Sequence, residues 1–276
     1  MAILTTMRRP HGLWLIGFAC VARLFAVEDA NDAPVWSAAT RLDFKSARRE
    51  LEQLPMAASD HDQRLQRALL QIVTPPQTEA RLDEAAAALS ELANDPSAGE
   101  IAAIAAYQFA RLAHTRGGAH DAELIENYRA VWTRFPGSPQ AERAFVFASI
   151  IRQYRADESA DEKRAGLLQW DEEAVRRLHS DAGRRSYHLA ASMAWARLLR
   201  DDERACAHLK IVHALGLASQ YTFSDVVFRL GEYHRLSGER TEALRYFKEF
   251  VERYPVDRRT DLARRLIQQL SAHEDA

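Results

Sequence analysis

The chain has 276 residues, 47% of them hydrophobic and 28% charged, with a formal charge of −2 at pH 7. That is ordinary globular composition, long enough for a large core, and its mildly acidic balance makes it a poor candidate for nucleic-acid binding, which rests on clustered cations. Gly and Pro are few and no stretch alternates convincingly with period two, so the chain reads as all-helical.

At the start, Arg8 and Arg9 precede a continuous apolar run from Leu13 to Ala22. Leu24-Phe25-Ala26 then places small or apolar residues where a signal peptidase inspects, and acids begin at Glu28. A basic start, a short apolar core and a small-residue exit describe a secretory signal peptide over residues 1–26. The run falls short of the roughly 20 apolar residues of a membrane span, and Arg23 interrupts it. A retained anchor is one alternative. Lipid attachment at Cys20 is another, although Gly17-Phe18-Ala19 lacks the usual Leu three positions ahead. Membrane association is expected only in those two cases. Cleavage removes Arg8, Arg9 and Arg23 and no acid, moving the charge from −2 to −5. Cys206 is then alone, and no internal disulfide can form.

Residues 27–36 form a polar linker, and a helical domain is expected over 37–276. Leu42, Phe44, Ala47, Leu51 and Leu54 make a ragged apolar stripe ending at Pro55. A helix over Arg64–Val73 stops at Thr74-Pro75-Pro76, and another carrying Leu82, Ala85, Leu89 and Leu92 stops at Asn94-Asp95-Pro96. Glu100 to His114 is Ala-rich on more than one face, which suits a helix with neighbours on both sides. After Gly117-Gly118, Asp121 to Phe135 returns with Leu124, Tyr128, Val131 and Trp132 inward. Ser138 and Pro139 then make a suitable N-cap and first helical residue for Gln140–Tyr154. Asp157 to Arg164 reads either as a long turn or as the exposed start of the helix over Leu167–Leu178. Arg184–Leu199 and Glu203–Leu215 follow, turned at Asp201-Asp202. A final helix over Arg258–Leu270 carries four arginines on a polar face.

The most informative stretch is Val227 to Pro255, in which Leu230-Gly231 is followed by Ala243, Phe247 and Pro255. Gly231 and Ala243 are small where two helices must approach closely, Phe247 is a wedge between them, Gly238 lies in the turn and Pro255 ends the unit. This order resembles the tetratricopeptide repeat, a helix–turn–helix of about 34 residues with the pattern Leu-Gly, Ala-x-x-x-Phe, Pro. Val227 stands where the pattern has Trp, and Tyr233 is one residue early. A second, weaker unit spans roughly 103–136, with Leu124 in place of the small Ala. The resemblance implies a right-handed α-solenoid of antiparallel helix pairs, its best repeat over 224–257 and a capping helix over 258–272.

The family lines a concave groove with the first helix of each pair. Carried onto the best unit, this implies partner contacts at Asp225, Phe228, Glu232 and Arg235, with the ring as anchor and the charges selecting. Phe228 packing on the neighbouring repeat is the competing reading. There is no paired-His metal motif, Gly-x-Ser-x-Gly elbow, phosphate loop or Cys-x-x-Cys. His208 and His213 are five apart and point to different faces, so no metal, cofactor or turnover is expected. The (Tyr/Phe)-Pro helix ends and the FPGSP phrase also look like repeats of secreted bacterial envelope proteins. The resulting expectation is a secreted, periplasmic scaffold that binds a protein or peptide. A non-catalytic helical accessory domain of a cell-wall enzyme system is the alternative.

Overall fold

The computed structural model describes residues 60–272 except 118–119, 155–157 and 217–219, together with residues 45, 46, 49 and 53. The expected signal peptide and linker, Cys20 and most of the first expected helix lie outside the described residues. Among the described residues there are eleven α-helices and no strand. They are α1 (His61–Val73), α2 (Glu79–Asn94), α3 (Glu100–Arg116), α4 (Asp121–Arg134), α5 (Pro139–Gln153) and α6 (Ala160–Arg177). After these come α7 (Asp181–Leu198), α8 (Asp202–Leu215), α9 (Gln220–Leu236), α10 (Arg240–Arg253) and α11 (Thr260–Ala272). None is long and apolar enough to cross a membrane.

The helix ends follow from side chains that satisfy the first backbone N–H groups. Thr78 accepts from Arg81 N, Ser138 from Ala141 N, Ser180 from Gly183 N and Asp201 from Arg204 N. Ser159 and Glu162 form a reciprocal capping box. That box decides the ambiguous stretch: α6 begins at Ala160, so most of Asp157–Arg164 is the exposed start of a helix.

The chain divides into two compact units between Leu112 and Ala113. In the first, Leu65, Ala68 and Leu69 of α1 form a core with Ala85, Leu89 and Leu92 of α2 and Ala105 and Leu112 of α3. In the second, α4 packs on α5, α7 on α8, α9 on α10 and α10 on α11, while α8 also meets α9 and α5 meets α7. The helix α6 is lightly held. It buries only Gly166, Leu167 and Ala174, and its Val175 is 80% exposed.

The α9–α10 seam has the small-against-large form that its residues demand. Leu230, Ala243, Phe247 and Phe250 are fully buried. A methyl group at Gly231 would lie 2.7 Å from the Phe247 ring, so only glycine lets that ring seat. Gly238 closes the turn at φ 76°.

One expectation is corrected. Arg258 and Arg259 precede α11 rather than forming part of its polar face, and Arg259 turns inward to Asp225, Asp257 and Ser224. Three acceptors on neighbouring segments hold it there more strongly than solvent would. Arg264 and Arg265 remain exposed.

Candidate functional site

Asp225, Phe228, Glu232 and Arg235 recur at three- and four-residue steps and so share one face of α9. The structure places them differently in depth. Phe228 is only 5% exposed, and it stands edge-on to Phe247 at 5.7 Å and to Phe250 at 5.2 Å. The Arg259 guanidinium covers its ring at 5.0 Å. Phe228 is thus part of the core, beneath a charged layer.

Asp225 helps to build that layer, accepting from Arg229 at 2.7 Å and from Arg259 at 2.9 Å. Arg259 also reaches Asp257, whose carboxyl its guanidinium holds far below the usual carboxylate range. Glu232 and Arg235 are half-buried. Among these four residues the face offers a partner fixed charges, its one ring being covered.

A surface with aromatic side chains at its base lies elsewhere in the second unit. Residues of α4, α5 and α6 line an open cleft of about 580 Å³, within the size range of ligand sites. Its base is aromatic. Trp132 of α4, Phe145 of α5 and Trp170 of α6 meet with ring centroids 4.7–6.2 Å apart, mostly edge-on or tilted as ring quadrupoles prefer. Trp132 and Phe145 are buried, whereas Trp170 is only partly buried and is the most exposed of the three rings.

The walls are charged. Arg129 pairs with Glu126 at 2.8 Å on α4, and Arg177 Nε donates to Glu173 at 2.5 Å on α6. The same Arg177 lies over the Trp132 ring at 5.6 Å and holds the Glu173 carboxyl below its usual range. Arg152 of α5 pairs with Glu158. A methyl group at Gly166 would come within 2.8 Å of the Arg152 guanidinium, so that glycine makes room for it against α6. An apolar base with oriented ions at its rim can hold a bulky side chain and discriminate its neighbours by charge.

Two buried polar clusters lie outside the cleft. Asp171 of α6 accepts from the Tyr187 hydroxyl of α7 at 2.7 Å, and its other oxygen is 3.5 Å from His208 Nε2 of α8. His208 Nδ1 is 2.8 Å from His188 Nδ1 of α7, so one of these two nitrogens carries the shared proton. Burial first, and then the charge of His208, pushes His188 down to about 4. Burial pushes Asp171 the other way, but its bonds to His208 and Tyr187 outweigh that and leave it below its ordinary range. The cluster braces α6 against α7 and α8.

The second cluster is Cys206, whose Sγ is 3.8 Å from His234 Nε2, with His234 Nδ1 2.5 Å from Glu239. Thiol, imidazole and carboxylate stand in the order of an activated nucleophile. Burial nevertheless pushes the thiol up, and His234 is 2% exposed, so the sulfur is held as a protonated core group. Among the described residues no three His, Cys, Asp or Glu stand together as metal ligands.

Nothing in a short sequence window marks the cleft, because its aromatic base comes from three helices. Trp132 reads in sequence as an ordinary inward residue. The available signal was the polar pattern Glu123, Glu126 and Arg129 beside it, three-residue steps on one flank of α4. No family model matches the chain, and comparison with curated proteins finds no match either.

Proposed function

We propose that this chain is a protein-interaction scaffold of the bacterial cell envelope, secreted to the periplasm, which holds a segment of another protein in the α4–α5–α6 cleft. In this reading the second unit is a right-handed solenoid of antiparallel, tetratricopeptide-like helix pairs. The observation that carries the proposal is the cleft itself: an open cleft over an aromatic base of which Trp170 is partly exposed, rimmed by ion pairs. Soluble surfaces that expose apolar concavities with a charged rim are usually sites of recognition.

Two further features support it. Helices adjacent in the chain pack on one another through short turns, with the Leu230-Gly231, Ala243 and Phe247 seam at the best pair. The basic, apolar and small-residue succession of residues 8–26 supports export. The α9 face of Asp225, Glu232 and Arg235 is the second docking surface of this reading, charged and secondary to the cleft, with Phe228 as its buried support.

The test is in-cell photo-crosslinking of the full chain, with the photoreactive residue at Gln169, which is exposed and lines the cleft. A second probe at Val175 on the same helix serves as control. One envelope protein trapped from Gln169 and absent from Val175 is the expected outcome. Equal capture from both positions, or none from Gln169, overturns the cleft as the docking site.

A further inference from the structure

We propose that the cleft takes an extended peptide segment bearing an aromatic or large apolar side chain and, about four residues away, a lysine or arginine. This rests on the docking role proposed for the same cleft and adds the chemistry of what docks there.

The charges on the walls set the sign. The cleft is lined by Glu123, Glu126, Glu173, Arg129, Arg152 and Arg177. All three guanidiniums are committed to neighbours: Arg129 to Glu126, Arg177 to Glu173 and Arg152 to Glu158. Glu123 makes no ion pair among the described residues, and it is exposed in the first turn of α4. The positive end of the α4 dipole offsets only part of its charge. The mouth of the cleft at the start of α4 therefore carries an unpaired carboxylate, while each arginine of the lining already has a carboxylate partner. A ligand cation there meets an open partner, and a ligand carboxylate meets repulsion.

The helix sets the spacing. Trp132 lies nine residues beyond Glu123 on α4, a rise of about 13 Å. Arg177 already covers the Trp132 face, so an incoming apolar side chain meets Trp170, packed against Trp132 at 6.2 Å. An extended chain covers about 3.3–3.6 Å per residue, which puts the cation about four residues from the anchor.

The experiment uses the full chain and immobilised eight-residue peptides with one fixed Trp and one fixed Lys or Glu at every spacing, the other positions being Gly or Ser. The best peptide is then titrated by fluorescence anisotropy against the unaltered chain, Glu123→Lys and Trp170→Ala. Tightest binding is expected with Trp and Lys about four residues apart, weakened about fivefold when Lys becomes Glu. Glu123→Lys should reverse that preference, and Trp170→Ala should weaken every peptide. Lys and Glu peptides binding alike, yet still lost with Trp170→Ala, would overturn the charge register while leaving the docking role in place. Absence of binding by any peptide, together with no capture from the Gln169 probe, would overturn both.

Discussion

Replacing Gly231 by alanine probes the seam of the last helix pair, because two large effects act with opposite sign. In a helix interior, Gly→Ala alone stabilises by about 1 kcal/mol through backbone entropy. Here the new methyl group would sit 2.7 and 2.8 Å from two ring carbons of Phe247, against a carbon–carbon optimum of about 3.5–4.0 Å. The ring must retreat by about 1 Å. It has little room to do so, being fully buried and held edge-on by Phe228. Overpacking of this kind costs about 1–3 kcal/mol, so the expected net result is a loss of about 1 kcal/mol. Urea unfolding followed by far-UV circular dichroism measures it, with a constant m-value showing that the unfolded state is unchanged. The same substitution made on top of Phe247→Leu should change sign and stabilise, since the clash has gone. A rise in the midpoint for Gly231→Ala alone would mean that the ring does not lie on Gly231, and the reasoning about this seam would fail.

Two other perturbations test the elements around the cleft. Glu142 of α5 is buried and accepts from the backbone N–H groups of His179 and Ser180 at 2.9 and 3.0 Å, and from the Ser180 hydroxyl, just ahead of α7. Glu142→Ala should therefore cost about 2 kcal/mol by stranding these donors, with hydrogen exchange rising first at the start of α7; uniform exchange across the unit would contradict a local capping role. His188 faces His208, Asp171 and Arg184 and binds a proton less readily folded than unfolded. Stability should thus be complete above its ordinary value of 6.5 and decline as pH falls from 6.5 towards 4. The full shift corresponds to about 2 kcal/mol at pH 5, reduced to about 1 kcal/mol because solvent reaches part of the ring. Urea midpoints at pH 7.5 and 5 should show this drop, and His188→Gln should remove that part of it; an unchanged slope in the variant would assign the pH dependence to other groups.

Much of the helical framework was legible because helix boundaries are written by neighbours in the chain. Thr74-Pro75-Pro76 stops α1 and Ser138-Pro139 opens α5, each through groups a few residues apart. Leu124, Tyr128, Val131 and Trp132 are buried as their spacing required. The start of α6 is ambiguous in sequence because the Ser159–Glu162 capping box lies within a charged run. The placement of Phe228 was less legible. Its spacing assigns it to a face of α9, but whether that face looks outward depends on Arg259, more than thirty positions away in the chain, closing over the ring.

By itself, then, the sequence determined that the chain is helical, where many of the helices begin and end, and which small and large residues must meet at the α9–α10 seam. These follow from short-range backbone chemistry and from periodicity, which act over a few residues. Only the tertiary structure decided that Trp132, Phe145 and Trp170 converge into one cleft base, that Arg259 turns inward, and that Phe228 is covered. Such outcomes depend on which helices become neighbours and on how each side chain's solvation competes with its new partners, and neither is encoded in any one stretch of the chain.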